Sequence, residues 1–376
     1  MDFYFYTFGR TILFHRFRYK SNLLSNKKNI LIAPLNWGLG HASRCIPIIK
    51  ALEQNNFNQI IASDGDSLSF LKKEFPNLTA LELPSYNIAY SESRRSFKWK
   101  MALQIPKIVK AVRKEKDEVQ KIITAYHIEG IISDNRLGVY SKDIPSVFIT
   151  HQLNVLSGTT SWLTTKLHSK FIKKFNQCWV PDFNNFPNLS GRLGHLKTPL
   201  QHCIYIGPLS RFEKKILPFR YDLMVILSGP EPQRTLLEEK LSVELKKHKG
   251  EILFIKGKIE TLQKNKKEDN ITFYNFMNSN ELEIAFNESN AVLCRSGYTT
   301  IMDLAKLHKK AFFIPTPGQY EQEYLAKKFK IEGIAPSCKQ ENFKFTELDK
   351  IQLYRGFEMP DIVQDWEQLF SLFQGK

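Results

Sequence analysis

Short apolar runs alternate with amphipathic segments along most of the chain. The run at 29–35 has the length of a strand, and the segment after it places Cys45, Ile46, Ile49 and Leu52 on one helical face. Because these runs are apolar throughout, they predict parallel strands covered by helices on both faces. In the first part of the chain we expect strands at 29–35, 59–63, 128–133 and 146–150, and a further helix at 67–74.

The same alternation restarts after the Gly-Pro pair at 207–208, which marks a join between two units. Strands are predicted there at 223–228, 251–256, 271–274, 291–294 and 311–315, and helices at 233–246, 281–287, 299–307 and 321–329. The pattern predicts an α/β fold of two Rossmann-like, doubly wound domains that face each other across a cleft. The expected divisions are a leader at 1–28, a first domain at 29–209, a second at 210–355, and a C-terminal helix within 356–376 that packs back on the first domain.

Composition narrows the class of protein. The 376 residues, 42% of them hydrophobic and 24% charged, suit a folded protein with two cores. A net charge of +16 favours anionic partners such as nucleotide sugars or anionic lipids, and without a nucleic-acid-binding motif we expect no nucleic acid. Five scattered cysteines without a CxxC pair predict neither disulfides nor structural zinc, so a reducing, cytoplasmic setting is expected.

The leader at 1–28 is rich in aromatic residues and arginine. It has no small-residue cleavage site, and no apolar run approaches the roughly 20 residues of a membrane span. Two interpretations stay open: a disordered leader, or a segment that lies in a membrane interface and gives the protein a peripheral contact with an anionic inner membrane face.

The loop at 36–44 joins the first predicted strand to its helix. Gly38 and Gly40 let the backbone approach a ligand, and the helix start offers free N–H groups. His41 lies at that helix start, where the dipole lowers the pKa of an imidazole and keeps it able to accept a proton. His41 is therefore a candidate general base, although a histidine that only hydrogen-bonds its loop fits the sequence equally well.

A second loop, at 294–303, follows a strand of the second unit and opens a helix. Ser296 and Gly297 place bare amides at the helix start, and Arg295 adds a fork of donors, an arrangement suited to a diphosphate. Asp303, about two turns into the helix, is positioned for ribose hydroxyls, or is a solvated helix residue.

A third loop, at 315–323, borders the same predicted crevice. Glu321 and Gln322 can pair with vicinal sugar hydroxyls, although an acidic residue at a helix start also complements the dipole. Weaker candidates end other strands or follow the join. These are Arg211 for the phosphates, Ser228 and Gly229 for the donor site, Asp134 as a second candidate base, and Asn135, Arg136, His151 and Gln152 for an acceptor.

The triplet Asp64-Gly65-Asp66 allows two interpretations. Asp-Gly is a common turn pair, and a DxD triplet chelates metal in some glycosyltransferases. Because the triplet lies in the first unit, away from the predicted nucleotide site, the turn is favoured and no metal or cofactor is expected.

Taken together, these motifs resemble the MurG-like GT-B glycosyltransferases, whose C-terminal donor domain is of family 28 type. The resemblance rests on Cys294-Arg-Ser-Gly297, Asp303 and Glu321-Gln322, with support from Phe276-Met277, Gly207 to Arg211 and Gly38 to His41. It spans roughly residues 29–335 as separated motifs. Asp303 stands where the family more often has Glu, and Glu321-Gln322 where the lipid II enzymes have two Gln, so the chain does not look like the lipid II enzyme itself.

The resemblance implies a role for each donor-site residue. Arg211, Ser228 and Arg295 would contact the diphosphate, with Ser296 and Gly297 supplying backbone, and Gly40 and Gly229 remain candidates to line the donor site. Phe276 and Met277 would frame the base, Asp303 would bind ribose, and Glu321 and Gln322 the sugar. His41 would lie at the transfer centre.

The implied reaction is an inverting, metal-independent transfer of GlcNAc or a related hexose from a UDP-sugar. The acceptor is an unidentified sugar, glycan or lipid of the cell envelope. Two alternatives remain: a UDP-sugar hydrolase or UDP-GlcNAc 2-epimerase of the same fold, and a non-catalytic nucleotide-sugar-binding protein.

Overall fold

The computed structural model describes residues 27–86, 94–155, 161–196, 198, 200–258, 260–360 and 363–375. All but the last two residues of the predicted leader at 1–28 lie outside this part of the chain. The described residues form two sheets with helices on their faces. The predicted α/β class is therefore confirmed.

The first sheet is built from the N-terminal half of the chain. Its strands are β1 (Asn29–Pro34), β2 (Asn58–Ser63), β3 (Thr79–Glu82), β4 (Ile128–Asp134), β5 (Ser146–Ile149), β6 (Gln177–Val180) and β7 (Cys203–Tyr205). They pair in parallel in the order β3-β2-β1-β4-β5-β6-β7. The helices of this half are α1 (Gly40–Gln54), α2 (Gly65–Glu74), α3 (Arg94–Ala125) and α4 (Ser161–Ile172), with a 3-10 turn at Gly191–Leu193.

The second sheet follows the same plan. Its strands are β8 (Tyr221–Ile226), β9 (Ile252–Ile255), β10 (Asn265–Glu268), β11 (Ile271–Tyr274), β12 (Ser289–Cys294) and β13 (Lys310–Phe313). Their order is β10-β11-β9-β8-β12-β13, and only the edge strand β10 pairs antiparallel. The remaining helices are α5 (Gln233–Glu244), α6 (Ser279–Asn287), α7 (Tyr298–Lys306), α8 (Tyr320–Ile331) and α9 (Trp366–Gln374), with 3-10 turns at Leu245–Lys247, Gln340–Asn342 and Phe345–Leu353.

The central strands are apolar throughout because both faces of each sheet are covered. Residues 30–33 of β1 are fully buried, and so are 292 and 293 of β12. Each fully buried Ile, Leu or Val side chain contributes about 1.5–3 kcal/mol relative to an exposed one. The carboxyl ends of β1, β4 and β5 lie side by side, as do those of β8, β12 and β13, so the loops after these strands come together.

The C-terminal helix α9 packs on the first sheet. The Phe370 ring meets the Phe57 ring edge-on at 5.7 Å between centroids and lies 6.2 Å from the Trp179 ring. Phe373 occupies the space beside Gly130, where an added Cβ would come within 2.4 Å of its ring. The chain therefore crosses twice between the two halves, once at the join and once ahead of α9.

These two crossings run next to each other. The Gln364 side-chain amide donates to the Pro208 carbonyl oxygen at 2.9 Å. A cavity of about 330 Å³ lies beside them, at the carboxyl-terminal ends of α1 and α7. Its lining includes Lys50, Gln54, Pro208, Arg211, Lys306, Met359 and Trp366.

Candidate active site

The starts of α1 and α7 meet at the boundary between the two halves. The Thr299 hydroxyl donates to the Gly40 carbonyl oxygen at 3.1 Å. A Cβ added at Gly40 would lie 2.8 Å from the Thr299 hydroxyl oxygen, so glycine permits this close approach. We call the region bounded by the starts of α1, α7 and α8 the interdomain crevice.

His41, in the first turn of α1, is paired with the carboxylate that ends β4. Its Nδ1 lies 2.9 Å from Oδ1 of Asp134, which is fully buried. It also lies 2.8 Å from Nη2 of Arg44. Nη2 of Arg44 donates to the same carboxylate oxygen. A lone pair on Nδ1 would face that oxygen, so we assign the proton to Nδ1, which donates to Asp134. Nε2 is left as the acceptor of the imidazole.

Arg44 holds Asp134 with two nitrogens. Its Nε donates to Oδ2 at 2.5 Å, and its Nη2 donates to Oδ1. Burial alone would raise the pKa of Asp134, but the charges of Arg44 and His41 and their hydrogen bonds lower it well below its ordinary range. Asp134 is therefore a poor proton acceptor, and the geometry gives it the task of orienting His41. Sequence reasoning proposed it as a second candidate base and missed Arg44 altogether.

The pKa of His41 is lowered from its ordinary value. Burial is the largest cause, Asp134 opposes it by raising the pKa, and Arg44 lowers the pKa further. Since the imidazole is mostly buried and its pKa is lowered, His41 is neutral near neutral pH. A neutral imidazole with a free Nε2 can accept a proton.

A second histidine links the two halves. His151, after β5, accepts from Nη1 of Arg44 through Nδ1 at 3.1 Å and donates from Nε2 to Oε1 of Glu321 at 2.9 Å. Its ring stacks on Tyr298, the first residue of α7, with 4.0 Å between ring centroids. The Gln152 side-chain amide also donates to Glu321. The structure thus places His151 and Gln152, expected on the acceptor side, against Glu321 of the second half.

Glu321 carries the charge of this linkage. Burial would raise its pKa, but His151, Arg44 and His41 together lower it below its ordinary value. The carboxylate is therefore ionised at neutral pH. Together, Glu321, His151, Arg44, Asp134 and His41 form a continuous chain of charged and polar contacts from one half to the other.

The start of α7 is open. Gly297 precedes the helix with no side-chain cap, and a Cβ added there would meet no atom within 4 Å. Ser296 is buried, and its hydroxyl donates to the Gln322 carbonyl oxygen at 2.8 Å. The Gln322 side chain accepts from the Thr316 amide at 2.9 Å and donates to Gln319 at 2.7 Å. Ser296 and Gln322 therefore hold the loops of the second half together at the crevice.

Arg295 requires a correction. Its guanidinium was expected to grip a diphosphate, but the side chain is buried and only 1% exposed. It donates to four oxygens, the main-chain carbonyls of Ile314, Pro315 and Gln233 and Oε1 of Gln340, at 2.8–3.2 Å. Nη1 and Nη2 are bonded to these oxygens, and Nε is buried without a hydrogen-bond partner among the described residues, so the guanidinium is not exposed at the crevice.

Arg136 is also displaced from its expected place on the acceptor side. It is fully buried and donates to Glu115 at 2.5 Å and to Asp64 at 2.7 Å. Asp64 is thereby engaged in an ion pair at the start of α2. The turn predicted at 64–66 was wrong, because α2 begins at Gly65 and the triplet opens that helix. Across the described residues no three His, Cys, Asp or Glu side chains are grouped to hold a metal ion. Neighbouring Asn135 is half-buried with φ of 58°.

Arg211 and Asp303 are far apart in the sequence but lie together in the structure. Only the family resemblance had assigned both of them to the donor site. Asp303 is buried, and its carboxylate accepts from the Ser210 hydroxyl at 2.6 Å. The Arg211 guanidinium lies over the rings of Phe212 at 4.8 Å and Phe70 at 5.3 Å. Nε and Nη1 of Arg211 are buried without a hydrogen-bond partner, so two of its donors are not used by the described residues.

The buried carboxyl of Asp303 yields a prediction. Burial raises its pKa from 3.8 to about 6, although Arg211 and Ser210 oppose the shift. The free energy of unfolding therefore falls as pH rises from about 4 to 6, and above that range the ionised Asp303 destabilises the fold. We expect Asp303→Asn to stabilise the fold at pH 7.5 by on the order of 2 kcal/mol in urea titrations.

The exposed Asp349→Asn variant is the matched control and is expected to leave the urea midpoint unchanged. If Asp303→Asn destabilises the protein at pH 7.5 as much as at pH 4, the carboxyl is not held in the unfavourable environment that the structure shows.

The other donor-side candidates lie along the second sheet. Ser228 and Gly229 follow β8 and are exposed, and Gly229, with φ of 106°, lies beside the buried Thr316. Phe276 and Met277 follow β11 and are half-buried. The Lys73 ammonium of α2 lies 5.9 Å from the centre of the Phe276 ring, so this segment also faces the first half.

Comparisons with known proteins bear on the fold and on the second half of the chain. Residues 230–360 match the glycosyltransferase family 28 C-terminal domain. A relative from Haemophilus ducreyi, UDP-N-acetylglucosamine–N-acetylmuramyl-(pentapeptide) pyrophosphoryl-undecaprenol N-acetylglucosamine transferase, is 23% identical over 258 residues, which cover 65% of this chain and 68% of the relative. The fold is similar to that of Acinetobacter baumannii MurG, with a TM-score of 0.56 at 14% identity over 93% of this chain and 100% of that one. The chain is a glycosyltransferase with a family 28 C-terminal domain, and its fold is similar to that of MurG.

A further solved structure has the same fold as this glycosyltransferase. The spinosyn rhamnosyltransferase SpnG, complexed with thymidine diphosphate, has a TM-score of 0.56 at 11% identity over 92% of this chain and 95% of its own. The shared fold therefore extends across both halves of the glycosyltransferase. In the described part of the chain, no helix is both long and apolar enough to cross a membrane.

Proposed function

We propose that this glycosyltransferase moves GlcNAc or a related hexose from a UDP-sugar to an acceptor hydroxyl, with inversion at the anomeric carbon. The observation that carries the proposal is the pairing of His41 with Asp134 at the boundary where Glu321 and the open start of α7 also lie. The family 28 domain and the UDP-sugar named for the relative support the choice of donor.

The chemistry assigned to the first half is proton transfer. Nε2 of His41 takes the proton of the acceptor hydroxyl. The acceptor oxygen bonds to the anomeric carbon while the bond between that carbon and the UDP oxygen breaks. The proton ends on the imidazole and the electron pair leaves with UDP. Asp134 stabilises the imidazolium that forms, because its carboxylate accepts from Nδ1.

The second half is assigned the donor. Free amides at the start of α7 meet the charge that gathers on UDP, and Arg211 supplies donors that the described residues leave unpaired. Asp303, next to Arg211, is assigned the ribose, and Phe276 and Met277 the base. Since helix amides and arginine can supply this stabilisation, we propose a metal-independent reaction without a cofactor.

Sugar binding requires an exchange at Glu321. Its carboxylate is held by His151 and Gln152, so a sugar that binds Glu321 replaces these hydrogen bonds with its own hydroxyls. The released side chains then face the acceptor, together with Asn135. We propose that this acceptor is a cell-envelope glycan or lipid, reached from the cytoplasm by a basic protein of net charge +16 in peripheral contact with an anionic membrane.

A panel of nucleotide sugars tests the donor assignment. We expect one UDP-sugar to stabilise the protein selectively, by roughly 2.7 kcal/mol at 100 times its Kd, in thermal-shift measurements. TDP-sugars and free hexoses serve as controls. Equal stabilisation by all nucleotides, or by none, contradicts the proposed donor site.

The same UDP-sugar, incubated without an acceptor, separates the alternatives. A transferase is expected to leave it intact over the time in which an acceptor panel gives turnover. Release of UDP or of an epimerised sugar without any acceptor would identify a hydrolase or 2-epimerase. Binding without turnover across the panel would identify a non-catalytic protein.

A further inference from the structure

Arg44 is the side chain on which the two histidines of the crevice converge. It lies three residues after His41 on α1 and is 2% exposed. Nε and Nη2 donate to the two oxygens of Asp134, and Nη1 donates to Nδ1 of His151. Every nitrogen of this guanidinium is therefore engaged by a group of the proposed catalytic site.

We propose that Arg44 is a positioning residue that holds Asp134 in place and keeps the His41 imidazole neutral, so that Nε2 can accept a proton. The inference rests on the proposed function only for its effect on rate. Its effect on His41 itself can be measured in the protein without substrate.

The physical reason is a balance of charges around His41. The groups that face it are Asp134 from β4, Arg44 from its own helix, His151 from the loop after β5, and Glu321 from α8. An uncompensated carboxylate 2.9 Å from Nδ1 would favour the imidazolium, which has no lone pair for a proton. The guanidinium opposes that effect because it places a positive charge 2.8 Å from the same nitrogen.

Arg44 also fixes the state of His151. A guanidinium can only donate, so Nδ1 of His151 must accept, and its proton stays on Nε2. That proton is the one donated to Glu321. Arg44 therefore sets the tautomer of the histidine that joins the two halves as well as the charge of the proposed base.

Histidine NMR titration of the full chain tests the inference directly. In Arg44→Gln, the amide can still donate to Asp134 but the charge is gone, and we expect the pKa of His41 to rise by about one pH unit. Arg44→Lys, which keeps the charge, should restore most of the wild-type value. His41→Gln and His151→Gln assign the resonances, and exposed Arg113→Gln is the matched control.

An unchanged or lowered pKa of His41 in Arg44→Gln overturns the inference. Should that variant fail to fold because Asp134 is left buried without its partner, the double variant Arg44→Gln/Asp134→Asn removes both charges. Its His41 pKa is then expected at or below the wild-type value, and a rise there would overturn the inference equally.

The pH profile of kcat/KM separates this inference from the proposed function. In Arg44→Gln the acidic limb should move to higher pH by the same amount as the NMR pKa, with activity recovering at alkaline pH. A merely structural role would lower the rate at every pH alike, and that result contradicts a positioning role. If the NMR pKa moves and the profile does not, Arg44 tunes His41 as inferred, but His41 is not the base of the reaction.

Discussion

Replacement of His41 by glutamine is expected to lower kcat by about a hundredfold or more while leaving the Kd for the UDP-sugar within about twofold. Glutamine keeps a donor to Asp134 but has no basic nitrogen, so the acceptor hydroxyl keeps its proton during attack. The donor is assigned to the second half, so its affinity should not depend on this side chain. Steady-state kinetics and direct binding of the UDP-sugar measure the two quantities separately.

The matched control is His127→Gln. His127 is exposed and precedes β4, at the amino end of the strand whose carboxyl end holds Asp134. Its kcat should equal that of the unaltered enzyme. A His41→Gln enzyme with undiminished kcat would remove His41 from proton transfer, and a parallel loss of donor affinity would move its role to the second half.

Arg295→Met should act on stability rather than on the donor. The change leaves three main-chain carbonyls and the Gln340 oxygen without their shared donor, which is expected to cost about 3 kcal/mol or more in urea unfolding. The Arg295 side chain is buried and bonded to these oxygens, so folded Arg295→Met protein should bind the UDP-sugar with a Kd within about threefold of the original.

Arg220→Met is the control for this variant because Arg220 is exposed and only lies over the Tyr221 ring, at 5.2 Å. It should leave the urea midpoint unchanged. A stable Arg295→Met protein that loses UDP-sugar affinity tenfold or more would restore the original expectation that this guanidinium grips the diphosphate.

The contrast between Arg295 and Arg44 shows what a sequence pattern can predict. A strand followed by a glycine-containing turn fixes where the backbone of Arg295 lies, at the carboxyl end of β12. It does not fix the direction of a long side chain. In the structure the guanidinium donates to main-chain carbonyl oxygens instead of facing the crevice. Arg44 was missed although its spacing from His41 places both on one face of α1, which is a signal that sequence reasoning could have used.

Asp134 shows a similar division. Its place after a buried strand was evident from the sequence, and so was its position near the predicted base. The role of Asp134 could not be predicted, because whether a carboxylate accepts protons or orients a neighbour depends on the cations around it. The cation here is Arg44 of α1, and its spacing from His41 indicates a shared helix face but not that Arg44 contacts Asp134.

The elements themselves followed the same logic. Strands such as β11, predicted at 271–274, were located by their apolar runs. β10 was missed because all four of its residues are exposed and polar, so its strand pairing with β11 leaves no hydrophobic signal. Edge strands of this kind are set by backbone hydrogen bonds to a neighbour rather than by burial.

The neighbouring chain crossings near Pro208 and Gln364 restrict how the two halves can move. Both connections lie at the carboxyl-terminal ends of α1 and α7, whereas His41 and Gly297 lie at the opposite ends of the same helices. Such an arrangement acts as a hinge. The two halves are connected on one side, so they can separate only on the opposite side. The acceptor hydroxyl and the transferred sugar are then expected to enter and leave on the side where His41 and Gly297 lie.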